Sequence, residues 1–159
     1  MEPALPDRLR SLIGGQAIAA LGTLHDGEPY VSMVPYALLP EGAGFVIHVS
    51  ALAAHTRDMI AAPAVSLLIT ALITPETNPQ ALARVTIQGE AVRVPDGAPI
   101  HEIAKAIYLE RFPQSAQTFE LGDFALFAIR PRSARYVGGF AQAKTVTAEA
   151  LTSALAGAG

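Results

Sequence analysis

The chain has 159 residues, is 51% hydrophobic but only 6% aromatic, carries a net charge of −3 and contains neither cysteine nor tryptophan. Without a basic stripe nucleic acid is not an expected partner, and without cysteine there is no disulfide framework, thiolate chemistry or cysteine-bound zinc. The length favours one domain that buries ~70% of its unfolded surface, and a mean hydropathy of +0.35 points either to a buried subunit interface or simply to the alanine-rich composition.

The segment 1–12, broken by acidic residues and prolines, does not read as a signal peptide, and no apolar run nears the roughly 20 residues of a membrane span. A cytoplasmic protein with no membrane partner is expected. Asp7 reads as the N-cap of a short helix, Arg8 to Ile13, ended by Gly14 and Gly15. Ala17 to Leu24 is a strand of small residues. Asp26-Gly27 is a hairpin turn, His25 beside it is expected to face solvent, and Tyr30 to Leu38 is the returning strand. Pro35 inside that strand demands an edge or a bulge. Pro40, Gly42 and Gly44 mark the next turn.

Gly44 to Pro63 is the stretch around which the chain is organised. It opens as a strand through Phe45, Val46, Ile47 and Val49, turns at Ser50 and restarts as a helix near Ala53 that Pro63 stops. Val65 to Leu72 is a strand, Ile73 to Pro79 a loop, and Leu82 to Val94 a long strand with an irregularity at Gly89 and Glu90. Pro99 to Arg111 reads as a helix presenting Ile100, Ile103 and Ile107 with Tyr108 or Arg111 on one side. Phe124 to Arg130 is a strand apolar on both faces. Pro131 is expected to break it before a last short strand, Ala134 to Val137. From Thr147 the tail reads as an alanine-rich helix that frays at its glycine end. The count is six or seven strands with short helices, which favours an antiparallel barrel over a βαβ sheet. A strand apolar on both faces needs a second cover, from a helix or from a partner subunit.

The chemistry-bearing residues gather at the strand-to-helix junction. Ser50, His55, Thr56 and Arg57 are polar, and the first backbone N–H groups of the helix have no intrahelical partner. Hydroxyls, a guanidinium and free N–H groups suit a phosphate; a connecting helix whose His and Arg face water is the alternative. Arg84, entering its strand, is either a donor to an anionic ring edge or a solvated residue. Ser32 is a ligand contact or a surface hydroxyl. His48 lines the site or sits on a sheet face, and His101 is expected on the surface. The four histidines lack metal-ligand spacing, so no metal site is expected. No catalytic triad, nucleophile elbow or phosphate-loop spacing is present. No catalytic residue is assigned, and a cofactor would have to supply the chemistry.

The ordered segments HDGEPYVSMVPYAL, FVIHVSALAAHTRDM, ARVTIQGEA, YLERFP and FELGDFALFAIRPRSARYVGGF resemble the pyridoxamine 5′-phosphate oxidase-like, FMN-binding split-barrel superfamily. SALAAHTRDM together with RYVGGF resembles its haem-utilisation, HugZ-like branch. The likeness covers about residues 8 to 143, leaving a tail from 144. It implies a mainly β protein, a six-stranded split barrel, and a homodimer with FMN at the subunit interface. Carried over by position, it implies Ser32, Met33 and Val34 along the flavin ring, Ser50, His55 and Thr56 at the ribityl phosphate, and Arg84 at the pyrimidine edge. The oxidase's Arg and Lys on the second of these strands are Ser32 and Ala37 here, its basic Ser-Arg-Lys run is Ser50-Ala51-Leu52, and its C-terminal substrate-binding Trp and Arg have no counterpart. The resemblance therefore implies an FMN-dependent oxidoreductase of unassigned substrate. A haem-binding or haem-degrading protein, or a flavin-binding module without catalysis, are the alternatives. Haem-degrading relatives carry a further C-terminal region without counterpart in these residues.

Overall fold

The computed structural model describes residues 2–139 and 142–157. Its centre is one curled antiparallel sheet. After helix α1 (Leu5–Gly15) come β1 (Ile18–His25), β2 (Glu28–Pro35), β3 (Ala37–Leu38) and β4 (Phe45–Ser50). Helix α2 (Ala54–Ala61) leads to β5 (Ala64–Thr70) and β6 (Arg84–Arg93). Helices α3 (Pro99–Arg111) and α4 (Ala116–Phe119) precede β7 (Phe124–Val137), β8 (Ala143–Thr147) and α5 (Ala148–Ala156). The strands run in the order β2-β1-β5-β6-β7-β4-β3, with β8 on the far half of β7. The two ends of that path, β2 and β3, are consecutive in the chain and separated by Tyr36 alone, so the sheet must curl to bring its edges together. This is the antiparallel barrel that the pattern of short strands favours and the split barrel that the resemblance implies, with eight strands among the described residues where six or seven were expected; β8 is the strand that polar-rich Ala143 to Thr147 conceals.

Asp26 and Gly27 both take positive φ, 51° and 81°, as the tight hairpin turn requires. Pro35 stands at the end of β2, on the sheet edge. Pro131 does not break β7. Gln88 pairs with Ser133 and Gly89 with Pro131, so Arg132 is the extra residue of a β-bulge, and a proline is tolerated there because no ladder bond is asked of it. The helix starts differ too. α1 begins at Leu5 with Ala4 at the cap, because Pro6 fits the first turn; Asp7 lies inside that turn and pairs with Arg10 at 2.7 Å. Phe140 of the GGF motif and the last glycine lie outside the described residues.

The two-faced strand is explained by the chain itself. Phe127 and Ile129 of β7 join Phe45 and Ile47 of β4 in the main core, while Leu126 and Ala128 join Val46 beneath α3. Helix α3 supplies the second cover through the C-terminal part of the expected face: Tyr108 is buried with Ala104 and Ile107 packs beside them, whereas Ile100 and Ile103 are 40% and 47% exposed. The small Ala104 lets the helix approach the sheet, and Tyr108 joins an aromatic cluster with Phe112, Phe119 and His48. His48 thus sits on the covered sheet face, stacked on Phe119 at 3.7 Å. Burial first, then the nearby His101 and Lys105, push its pKa down to about 4. His101 is not a free surface residue either: it is tucked beside Asp96, 3.4 Å away, with only 14% of its side chain exposed.

α1 and α5 pack together over the barrel end, where the Arg10 Nε donates to the Ala154 carbonyl at 2.9 Å. α5 also rests on the 3-10 turn Pro40–Gly42. Gly42 has φ 71°, and a Cβ there would overlap the Thr152 carbonyl. Gly42→Ala combines backbone strain with that overlap and should lower stability by roughly 2 kcal/mol or more, measured as a fall in the urea midpoint at unchanged slope.

Candidate functional site

Helix α2 is the element that organises the polar side chains. It is eight residues long, has Ala53 at its N-cap with no side-chain bond there, and buries Thr56, Asp58 and Met59. Two of its side chains pin it to the β1–β2 hairpin. His55 Nδ1 lies 2.9 Å from Ser32 Oγ on β2. Asp58 reaches β1 twice: Thr23 Oγ1 donates to its Oδ2 at 2.8 Å, and His25 Nδ1 lies 2.7 Å from its Oδ1.

The electrostatics follow from these partners. The hydrogen bond to Asp58 and its charge raise the His25 pKa above the ordinary value, against desolvation and the Arg57 charge. Desolvation pushes the Asp58 carboxyl up, but the bonds from His25 and Thr23 outweigh it and leave Asp58 below its ordinary value. Burial holds His55 below its ordinary value despite the nearby Asp58.

The residues expected at a flavin disperse. Ser32 and His55 meet. Met33 and Val34 point to opposite faces of β2, Met33 57% exposed and Val34 buried in the core. Ser50 Oγ accepts from the Leu52 N–H at 3.1 Å and donates to Asp123 at 3.4 Å. Thr56 is buried, and its hydroxyl has no hydrogen-bond partner among the described residues. Arg84 turns back on its own approach to β6, donating to the Gln80 and Leu82 carbonyls at 3.2 and 2.9 Å.

The sequence reading missed the Thr23–Asp58–His25 chain. His25 is exposed beside its turn, as expected, but it is also hydrogen-bonded to Asp58, and its ring stands 5.5 Å from Tyr30. The available signal was Asp58 itself, an acid on the buried side of a helix, three residues after His55.

A cleft of about 420 Å³ opens on the outer face of the sheet. Its lining includes Gly22, Leu24 and Val31 of the hairpin, Ser66 of β5, and Gln88, Arg132 and Ser133 of β6 and β7. The bulge turns Arg132 toward this cleft, and its Nη2 donates to the Gly89 carbonyl at 3.2 Å. Ile18, Met33 and Leu68 lie exposed on the same side of β1, β2 and β5. A smaller cavity of about 230 Å³ lies beside His48, His101 and Lys105 under α3. Among the described residues no group of three or more acidic or histidine side chains is placed to hold a metal ion, and no helix is long and apolar enough to cross a membrane.

Comparison with known proteins places this geometry. The pyridoxamine 5′-phosphate oxidase family matches residues 5–138, and the chain belongs to that family. The chloroplastic heme oxygenase HOZ of Arabidopsis thaliana is 32% identical over 140 residues, which are 86% of this chain and 41% of that protein. A heme binding protein from Mycobacterium smegmatis superposes with a TM-score of 0.84 at 30% identity, over 96% of this chain and 61% of that one. HutZ, a heme storage protein from Vibrio cholerae, superposes with a TM-score of 0.70 at 26% identity, over 77% and 87%. The resemblance to the haem-utilisation branch is thereby shown. The chain spans less than two thirds of the first two relatives.

Two outcomes follow from the pinned helix. Thr56→Val removes a buried hydroxyl that has no partner, so it should raise stability by about 1 kcal/mol, read from urea unfolding; a fall would mean the hydroxyl is bonded. The His25–Asp58 pair has a defined pH window. Asp58, lowered on folding, stabilises above its ordinary value of about 4, and that share is lost as pH falls through its folded value. His25, raised on folding, stabilises below its ordinary value of about 6.5, and that share is lost as pH rises through its folded value. The stability difference between the parent and His25→Gln should therefore be greatest from about pH 4 to 6.5 and shrink on either side, measured by thermal unfolding across pH.

Proposed function

We propose that this member of the pyridoxamine 5′-phosphate oxidase family binds haem, as substrate or as cargo. The observation that carries the proposal is the outer cleft: a broad groove lined on one side by the apolar Leu24 and Val31 and on the other by Arg132. A porphyrin is flat and apolar with carboxylates at one edge, and that edge calls for a fixed cation. Arg132 uses one of its nitrogens on the Gly89 carbonyl and keeps further N–H groups for an anion. The names of three relatives, a heme oxygenase, a heme binding protein and a heme storage protein, support the same reading. Haem would supply the iron chemistry; the chain's own residues would bind the ring, orient it and shield it from water.

FMN and an oxidoreductase role fit less well. The Asp123 carboxylate stands beside Ser50 where a phosphate would need to be, Thr56 is buried away from the surface, and the Arg84 guanidinium is turned back on the Gln80 and Leu82 carbonyls through Nη1. A phosphate there would rest on Arg57 and the first N–H groups of α2.

A homodimer belongs to the proposal. Ile18, Val31, Met33 and Leu68 are exposed on the face that holds the cleft, and a second copy seated on them would cover apolar surface and wall the cleft. A cytoplasmic location is the remaining part, checked by cell fractionation.

Titration of the purified chain with hemin should produce an intense band near ~400 nm that saturates, while added FMN, with bands near about 370 and 450 nm, should wash away on a desalting column. Retained FMN with no hemin band would reverse the order of the two readings. Sedimentation at micromolar concentration should give twice the chain mass, and Met33→Asp with Leu68→Asp should return the monomer.

A further inference from the structure

Two glycines lie inside strands among the described residues, Gly22 in β1 and Gly89 in β6. Glycine weakens a strand interior, because it gives up the most backbone freedom and packs no side chain, so each calls for a reason. Gly89 has its reason in the backbone: a Cβ there would overlap the Arg130 carbonyl of β7. Gly22 has no such reason. Its φ is not positive. Among the described residues a Cβ on it would meet Ser66 alone, whose carbonyl oxygen would be 3.7 Å away, in ordinary contact, and whose Oγ would be 2.9 Å away. That Oγ ends a short side chain and can turn aside to another rotamer. Alanine would therefore suit this strand as well as glycine does, or better.

The place of Gly22 supplies the reason that the backbone lacks. The ladders align Val31, Gly22, Ser66, Gln88 and Ser133 in one row across five strands. Directly paired residues share a face of the sheet, and all five line the outer cleft. The row is apolar at its β2 end, carries hydroxyl and amide groups from β5 onward, and is bare at Gly22, where the floor is peptide backbone. Arg132 stands at the polar end of the same cleft. A bare floor between an apolar side chain and polar ones lets the face of a flat ring come into contact with the backbone, and a side chain there would hold the ring off.

We infer that Gly22 is the seat of the porphyrin ring in this cleft, the position at which the lack of a side chain decides whether a flat ring fits. This role rests on the haem reading and goes beyond it by naming the residue that sets the fit. The contact is with the ring face, so it is the same for a porphyrin with iron and for one without.

The test uses the full chain with two probes, hemin followed by absorbance and metal-free protoporphyrin followed by fluorescence. Gly22→Ala should weaken hemin binding several-fold and Gly22→Val at least about tenfold, and protoporphyrin should weaken by the same factors. The urea midpoint of Gly22→Ala should lie at or above the parent's, and both variants should sediment with the parent's mass. Gly22→Ala combined with Ser66→Ala, which removes the one side-chain atom that the new methyl crowds, should bind hemin no better than Gly22→Ala alone. If Gly22→Val binds hemin as the parent does, if protoporphyrin keeps its affinity where hemin loses it, or if loss of the Ser66 hydroxyl restores binding, the role of Gly22 is overturned while the haem reading stands. A lowered midpoint in Gly22→Ala would mean that the glycine serves the fold, and a changed mass that it serves a contact between copies; each overturns the role as well. If the parent chain itself gives no hemin spectrum, the haem reading falls and takes the seat of the ring with it.

Discussion

Everything in this fold depends on how the sheet is closed at Tyr36. The first and last strands of the sheet path are joined by this one residue, so the curl is imposed by the covalent chain rather than left to sheet twist. Tyr36 is fully buried, its ring edge-on to Phe45 at 5.5 Å, its N–H on the Ala17 carbonyl and its hydroxyl on the Ile13 carbonyl at 2.5 Å. Burial drives its pKa up to about 12, so the hydroxyl stays a donor. A buried phenol needs such a partner. The Ile13 carbonyl, near the end of α1, is otherwise one of the groups a helix terminus leaves unpaired. One bond thus satisfies both and fixes α1 against the barrel end where α5 also packs.

From that closure the candidate site follows. The curl carries the β1–β2 hairpin to the helix that leaves β4, and α2 is then held by Met59 in the main core and by polar side chains. The polar contacts are two imidazoles, one serine, one threonine and one aspartate. Buried polar contacts of this kind stabilise little by net energy but fix one arrangement, because leaving any member unpaired is costly.

Local signals were legible where local physics decides. Asp26-Gly27 announced its turn, Phe45 to Ser50 its strand, and Pro99 and Pro113 bracketed α3, because backbone geometry at those positions leaves few choices. Gly89 announced an irregularity, but the bulge itself belongs to β7, where Pro131 looked like a break; only pairing with β6 reveals that a proline can sit inside a continuous strand. The face of α3 was read half right: Ile107 and Tyr108 pack as expected, but apolar count favoured Ile100 and Ile103 where packing chose the small Ala104. The site was less legible still. Asp58 and His25 are thirty-three residues apart, and their meeting depends on the closure of the sheet. Polar residues clustered in sequence at Ser50 to Arg57 proved to face different ways in space, Ser50 to Asp123, His55 to Ser32, Thr56 into the core and Arg57 to the surface.

The hairpin also governs how this sheet can meet another chain. In a two-residue hairpin the closing pair, His25 and Glu28, is hydrogen-bonded, so along β2 the even-numbered residues bond to β1 and the odd-numbered ones direct their N–H groups to the free edge. Two of those odd positions are Pro29 and Pro35, which have no N–H. The outer edge of β2 therefore offers donors only at Val31 and Met33, with an imino acid on either side. A neighbouring strand cannot zip onto so short a ladder, and the route by which exposed apolar strands nucleate fibrils is blocked at its first step. The apolar side chains of β2 can meet a partner through the face of the sheet and not through its rim.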